Sequence, residues 1–314
     1  MAKQAVLLLA HGTPETIEQI PEYLRNVTGG RPLPHEVVEE IQRRYALIGR
    51  SPLIEITLEQ GRLVEAELAA AGERIQVYVA MRNWRPYIAD IVSRMRADEV
   101  EEAAVLCLAP QNSRTSVGLY RRAVETSGLR IDFTASWADH PLLIEAFAER
   151  LRPAWSKLSA ETGASVPVLF TAHSVPVRTI QASEGQPADP YADEARRTAT
   201  LVAARVPDIP QWSFAFQSQG ASGGPWLGPS VEQTLESISA SGTTTVLLQP
   251  IGFLCDHVEI LYDVDIFFRE FAKRINLRLE RPESLNASAT LAKAIADLAR
   301  QGLSRLKIVR EEQE

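Results

Sequence analysis

The chain has 314 residues, which is long for one compact domain and favours two. A hydrophobic content of 45% and a charged content of 23% are typical of a folded globular protein. The formal net charge is −7 and no block of Lys and Arg occurs, so we expect no nucleic-acid partner. Because no apolar run approaches the roughly 18 residues of a membrane span, we predict no transmembrane segment. The initial MAKQAVLLLAHG is predicted to be a strand and not a signal peptide.

Only two cysteines are present, Cys107 and Cys255, and both lie in apolar, strand-like surroundings. Buried thiols of this kind are typical of a reducing compartment, so we predict a cytoplasmic protein. No CxxC spacing occurs, and therefore neither a cysteine-ligated zinc nor an iron–sulfur cluster is expected. No prosthetic group is predicted.

Short apolar segments alternate with longer amphipathic segments along the chain. The predicted strands are residues 5–10, 75–81, 103–109, 131–137, 166–172, 211–217 and 245–254. The predicted helices are residues 36–48, 56–71, 87–96, 141–158, 192–206, 230–240 and 289–306. Such alternation is typical of βαβ units in parallel sheets.

The strands form two groups of similar layout, which predicts an α/β protein of two Rossmann-like domains, each a parallel sheet flanked by helices. Residues 1–138 form the first domain, and the helix near the C-terminus returns to it, so that residues 289–314 are included. Residues 139–288 form the second domain. No GxGxxG motif, Walker loop or GxSxG elbow is present, so nucleotide-dependent and serine-hydrolase chemistries lack their minimal parts.

Three histidines follow predicted strands, where ligands bind in open α/β sheets: His11, His173 and His257. His35 and His140 lie at helix starts and are interpreted as structural. At the end of its strand, His173 either makes a local hydrogen bond or points into a cleft, and a neutral imidazole there binds a metal or accepts a proton.

Four acidic residues and His257 lie within the ten residues 256–265 that follow the last long strand. The acidic residues are Asp256, Glu259, Asp263 and Asp265. Carboxylates near a helix N-terminus are favoured by the helix dipole, and that is the structural interpretation. Their number exceeds what capping needs, so the cluster also suits a divalent cation or the removal of a proton from nitrogen.

Several segments match the ferrochelatases in the same order along nearly the whole chain. They are AHGTP at 10–14, RRYALIGRSPL at 43–53, TAHSVP at 171–176, DPYADE at 189–194, QSQGASGGPWLGP at 217–229, PIGFLCDHVEILYDVD at 250–265 and RPESLN at 281–286. The chain therefore resembles the ferrochelatase family, which inserts Fe(II) into a porphyrin in haem biosynthesis. The resemblance implies the class II chelatase fold, with a porphyrin cleft between the two domains.

The resemblance also implies roles for individual residues. His173 and Glu259 are expected to be catalytic and to bind the iron substrate together with Asp263, while Asp256 and His257 brace the turn. The residues expected to bind the porphyrin are His11, Thr28, Arg31, Arg44, Arg50, Ser51 and Tyr120, because Arg and hydroxyl groups suit carboxylates. The six-residue spacer between Ser218 and Pro225 favours coproporphyrin III over protoporphyrin IX.

The chain departs from the coproporphyrin branch in three respects. His11 stands where that branch commonly has Tyr, and we hypothesise that it is an axial ligand. Thr28 and Gly29 replace basic residues, and Phe267 replaces an acidic one, which shortens the acidic row after Glu259 and puts an outer metal site in doubt. Two alternatives stay open, a cobalt or nickel chelatase of the sirohydrochlorin type and a non-catalytic haem-binding or transfer protein. Transient contact with neighbouring haem-pathway enzymes is also considered.

Overall fold

The computed structural model describes residues 2–182, 184–209, 211–220 and 223–312, and the chain divides into two units. Unit 1 comprises Met1–Ala46, Arg50–Trp137 and Asn286–Glu314, and unit 2 comprises Leu47–Gly49 and Ala138–Leu285. The strands are β1 (Gln4–Ala10), β2 (Gln76–Met81), β3 (Glu102–Cys107), β4 (Arg130–Thr134), β5 (Val168–His173), β6 (Trp212–Gln217), β7 (Thr245–Pro250) and β8 (Arg278–Glu280).

The α-helices are α1 (Ile20–Val27), α2 (His35–Ile48), α3 (Leu53–Ala70), α4 (Ile88–Ala97), α5 (Val117–Glu125), α6 (Pro141–Thr162), α7 (Val177–Ile180), α8 (Tyr191–Arg205), α9 (Val231–Ala240), α10 (Arg269–Arg274) and α11 (Ala289–Glu311). A 3₁₀ turn at Ile17–Gln19 precedes α1, and a π-helix at Glu259–Phe268 leads into α10. None of the described helices is both long and apolar enough to cross a membrane.

Unit 1 contains a four-stranded parallel sheet in the order β2-β1-β3-β4. Every residue of β3 is buried, as expected for a strand covered on both faces. Helix α11 packs against α3, β3 and β4. A Cβ atom on Gly302 would lie 3.0 Å from Ala104 Cβ, so this glycine permits close packing of the helix on the sheet. Arg305 of the same helix donates two hydrogen bonds of 2.7 and 2.8 Å to the carboxylate of Asp132 in β4.

Unit 2 contains a second parallel sheet in the order β6-β5-β7-β8. Strands β5 and β7 are adjacent, and every residue of β7 is buried. The hydrophobic core of unit 2 contains buried residues of the sheet together with Ile260, Val264 and Phe268 of the π-helix. The π-helix is therefore anchored by its apolar side, which leaves other positions for polar groups.

The predicted α/β class with two parallel sheets is confirmed, and all seven predicted strands are present. Strand β8 was missed because three residues carry too little pattern to detect. The prediction that the last long strand continues to residue 254 is wrong, since β7 ends at Pro250. Beyond it the chain turns at Gly252 and enters a segment without regular structure before the π-helix.

Candidate functional site

The candidate site lies at the carboxyl edge of the sheet in unit 2. His173 is the last residue of the central strand β5, and the segment after β7 carries Asp256, His257 and Glu259. Adjacent parallel strands bring their carboxyl ends to one edge, which is why residues about 85 positions apart in sequence can meet. The prediction from sequence that these polar side chains lie at one sheet edge rests on the same geometry.

His173 and Glu259 form the centre of this site. The Nδ1 atom of His173 lies 3.2 Å from Oε2 of Glu259, and the two side chains are 35% and 34% exposed. This Nδ1 atom is itself buried and makes no hydrogen bond of ordinary geometry. Tyr191 donates a hydrogen bond of 2.8 Å from its hydroxyl to the backbone carbonyl of His173, which holds the end of β5.

The two groups stabilise each other's charged forms. Burial alone would lower the pKa of His173, but the neighbouring Glu259 carboxylate, with a smaller contribution from Asp263, raises that pKa above the ordinary value of 6.5. Burial alone would raise the pKa of Glu259, yet His173 and then His257 hold it well below 4.5. The carboxylate is therefore ionised, and the imidazole takes up a proton more readily than a free histidine.

His257 and Phe253 border the pair. The Nδ1 atom of His257 lies 3.0 Å from the carbonyl oxygen of Cys255, and because a carbonyl only accepts, this nitrogen carries the proton. Its Nε2 atom lies 3.8 Å from Oε2 of Glu259. The Phe253 ring packs against both histidines, with centroid distances of 4.5 Å to His257 and 6.2 Å to His173.

Asp263 is held by a hydrogen bond and is only 6% exposed. The hydroxyl of Ser218 donates to Oδ2 of Asp263, and Ser218 adopts a left-handed backbone with φ of 61°. Within the described parts of the chain, no group of three or more His, Cys, Asp and Glu side chains is arranged to hold a metal ion. The structure thus brings His173 and Glu259 together, while Asp263 bonds to Ser218.

The loops that follow β5 and β6 are joined by backbone hydrogen bonds. The amide of Val177 donates to Pro225, and the amide of Leu227 donates to Val175, at 2.9 and 3.0 Å. The Ser174 hydroxyl adds a hydrogen bond of 2.9 Å to the Leu227 carbonyl. The PWLGP segment therefore supports the loop next to His173. Residues 221 and 222 of the same motif lie outside the described residues.

Gly252 allows the chain after β7 to cross the end of β5. A Cβ atom at this position would lie 3.0 Å from both Cα and Cβ of Ala172 and 3.4 Å from the amide nitrogen of His173. These contacts are tighter than backbone packing tolerates without movement. Gly252 therefore sets the separation between the strand that carries His173 and the segment that leads to Glu259.

Gly252→Ala is expected to push these two segments apart and to destabilise the protein by about 1–3 kcal/mol, the usual cost of overpacking. Thermal unfolding measures this loss of stability. A lower pKa of the His173 imidazole is also expected because Glu259 moves away, and NMR titration measures it. Gly118→Ala is the matched control, because a Cβ there finds only an ordinary contact of 3.7 Å. Equal changes in stability and in the His173 pKa in the two variants would contradict the role of Gly252.

His11 lies in unit 1, directly after β1. Both nitrogens of its ring are within 3.1–3.2 Å of the Asn83 side-chain amide, and the Tyr23 ring packs edge-on at 6.1 Å. Gly12 follows with φ of 85°, and a Cβ there would lie 2.9 Å from Trp84. Gly12 therefore allows the chain to pass close to Trp84, and the imidazole of His11 is oriented by its neighbours.

The other six residues expected to bind the porphyrin also lie in unit 1. Thr28 and Arg31 bond to each other's backbone, at 2.6 and 3.1 Å. Arg44 pairs with Glu40 at 2.9 Å, and Arg50 pairs with Glu55. The remaining two residues, Ser51 and Tyr120, are buried. The hydroxyl of Ser51 makes no hydrogen bond to a described residue. The guanidinium of Arg82 lies over Tyr120, 5.0 Å from the centre of the tyrosine ring.

Sequence reasoning did not assign roles to several residues that shape this site. They are Tyr191, Ser218, Gly252, Ser284 and Arg281. Each lies inside one of the segments that match the ferrochelatases, so the signal was present. What was missing was the geometry, because nothing in the spacing shows that Tyr191 reaches the carbonyl of His173.

Comparison with known proteins identifies the family. The ferrochelatase family model matches residues 3–303. A ferrochelatase of Acidobacterium capsulatum is 54% identical over 97% of this chain and 96% of its own, and a coproporphyrin III ferrochelatase of Mycolicibacterium vanbaalenii is 36% identical over 95% and 89%. The cobalt complex of the sirohydrochlorin chelatase SirB of Bacillus subtilis subspecies spizizenii shares the fold, with a TM-score of 0.52 at 13% identity over 95% of this chain and 94% of that one. The chain belongs to the ferrochelatase family, the enzymes that insert iron into porphyrins.

Proposed function

We propose that this ferrochelatase inserts Fe(II) into coproporphyrin III and that His173 and Glu259 carry the reaction. The observation that supports these two residues is their 3.2 Å approach at the carboxyl edge of the sheet in unit 2. An ionised carboxylate beside a partly exposed imidazole provides one ligand for a metal and one acceptor for a proton. Iron is a substrate of the proposed reaction, and the enzyme uses no prosthetic group.

The reaction requires that the porphyrin lose two N–H protons as the metal enters. His173 in its neutral form accepts one of these protons, and the resulting imidazolium is stabilised by Glu259, which is the physical meaning of the raised pKa. The imidazolium then releases this proton to solvent from its partly exposed ring and accepts the second proton. The carboxylate of Glu259 also suits Fe(II) as an oxygen ligand. Asp263 adds negative charge near His173, and Asp256 and His257 keep the turn in place.

The choice of coproporphyrin III is supported by the cationic and hydroxyl groups in unit 1. This substrate carries four propionates, whereas protoporphyrin IX carries two, so it needs more donors. Arg31 makes no ion pair within the described residues, and the residue is exposed. The relatives named coproporphyrin III ferrochelatases, at 31–36% identity, lend further support.

A side-by-side comparison of kcat/KM for the two porphyrins tests the substrate. Under anaerobic conditions with Fe(II), we expect coproporphyrin III to be preferred by about 10-fold or more, the effect of one or two additional charged hydrogen bonds. Arg31→Ala should reduce that preference, whereas Arg43→Ala, a change in a surface pair with Glu40, should not. Equal kcat/KM values would contradict the substrate, and porphyrin binding without iron insertion would indicate a non-catalytic haem binder.

The proposed role of His11 is that of an axial ligand to iron in the product. His11→Ala is then expected to change the absorption spectrum of bound iron coproporphyrin, because an imidazole ligand sets the spin state of the metal. His35→Ala is the control, since this surface histidine is 82% exposed. An unchanged spectrum in the His11 variant would refute axial ligation.

Three further proposals accompany the function. We propose that the enzyme works without an iron–sulfur cluster, since two cysteines fall short of the roughly four that such a cluster needs. Both thiols are unpaired, which supports a cytoplasmic location. We also propose that delivery of substrate or product involves transient contact with neighbouring haem-pathway enzymes.

A further inference from the structure

A partly buried cluster of three charges lies beside the π-helix of unit 2. Arg281 follows β8 and is only 11% exposed. Its Nε and Nη2 atoms donate to the two carboxylate oxygens of Asp265, at 2.7 and 2.8 Å. Asp265 belongs to the second turn of the π-helix, so this bidentate pair ties the helix to the chain that leaves the sheet.

The same guanidinium also reaches the turn before the π-helix. Nη2 of Arg281 lies 3.1 Å from Oδ1 of Asp256, and the hydroxyl of Ser284 donates to the same oxygen at 2.7 Å. Nη1 donates to the carbonyl of Pro282 at 3.1 Å. All three nitrogens of the guanidinium are therefore occupied, and one side chain contacts two points, Asp256 and Asp265, of residues 256–268, which we call the π-helical segment.

Glu259 lies between these two points. It is the first residue of the π-helix, three positions after Asp256 and six before Asp265. A π-helix is rarely stable by itself and is common at functional sites, so its geometry depends on tertiary contacts. The segment from residue 251 to residue 258 contains no strand and only one helical position, and the placement of Glu259 therefore relies on anchors outside it.

The charges of the cluster are maintained despite burial. Burial alone would lower the pKa of Arg281, but the hydrogen bonds and charge of Asp265, together with the charge of Asp256, raise it. A buried ion pair often contributes little net stability, because desolvation offsets the attraction. Its rigid, planar geometry does fix the positions of the groups that it joins.

We propose that Arg281 is a positioning residue for iron insertion, which holds Glu259 against His173 by fastening the π-helical segment at Asp256 and Asp265. This inference rests on the proposed roles of His173 and Glu259. A displacement of about 1 Å in a reacting group lowers rates by on the order of 100-fold, so loss of the guanidinium should act on the metal step. Porphyrin binding should change little, because Arg281 contributes no group to it.

The test compares Arg281→Met and Arg281→Lys with Arg305→Met. Arg305 forms a bidentate pair of the same kind with Asp132, but in unit 1. Two quantities are measured for each folded variant: kcat for Fe(II) insertion into coproporphyrin III, and the affinity for Co(II) alone, followed by its absorption. Thermal unfolding and the affinity for coproporphyrin III are recorded alongside.

We expect Arg281→Met to lower kcat and Co(II) affinity by on the order of 10–100-fold, with porphyrin affinity within about 2-fold of wild type. Arg281→Lys should recover part of both losses, and Arg305→Met should lower only the thermal midpoint. If Arg281→Met does not fold, Asp265→Asn removes the charge from the same contact with little change in shape, and the same losses are expected.

Normal kcat and Co(II) affinity in a folded Arg281→Met or Asp265→Asn variant would overturn the positioning role. So would equal losses in Arg305→Met, since these would reflect general stability. Failure of the wild-type protein to insert iron would instead refute the proposed function, so the two failures are distinguishable.

Discussion

His173→Ala should lower the rate of iron insertion by about 10²–10⁴-fold, the range attributed to a positioned general base. The substitution removes both the proton acceptor and a ligand for the arriving metal. Porphyrin binding should persist, because the groups proposed to bind the propionates lie in unit 1. The measurements are single-turnover insertion under anaerobic conditions and porphyrin affinity by fluorescence quenching.

His140→Ala is the control for this variant. His140 is the N-cap of α6 in the same unit, where its ring accepts a hydrogen bond of 3.3 Å from the amide of Leu142. Its loss should cost about 1 kcal/mol of stability without affecting kcat. Near-normal turnover in His173→Ala would refute the assignment of the catalytic histidine.

Glu259→Gln is expected to have the second-largest effect, because it removes the charge that His173 faces at 3.2 Å. The affinity for metal should fall by on the order of 10–100-fold, as it does when a partner of a ligating histidine is lost. The pKa of His173 should also fall below its ordinary value of 6.5, since burial is then opposed only by the smaller effect of Asp263. NMR titration of the imidazole measures this directly.

The direction of the pH dependence follows from the same pair. In the wild type, the raised pKa keeps His173 protonated up to a pH above 6.5, and only the neutral ring accepts a proton. Insertion should therefore rise with pH through that raised pKa and decline below it. Glu283→Gln is the control, because Glu283 is 77% exposed and pairs with Arg150 in the same unit. An unchanged His173 pKa in Glu259→Gln would contradict the coupling.

Much of the fold was predictable because parallel strands covered on both faces are nearly continuous apolar runs. Strands β1, β3, β5 and β7 have this pattern, and all four were predicted from the chain. Strand β8 and the π-helix were not. The first is too short to carry a pattern, and the second depends on packing of Ile260, Val264 and Phe268 in the core and on contacts of its polar side.

The amino-acid sequence by itself determined the α/β class and the family and singled out His173 and Glu259 as candidates, because these depend on periodicity and on residue types within recognisable segments. Only the tertiary structure decided how these two residues meet. Their approach depends on the absence of a Cβ at Gly252, on the Tyr191 hydroxyl and on the guanidinium of Arg281, and such contacts join segments that are distant in the chain. Distances across a sheet edge follow from packing, and sequence spacing does not encode them.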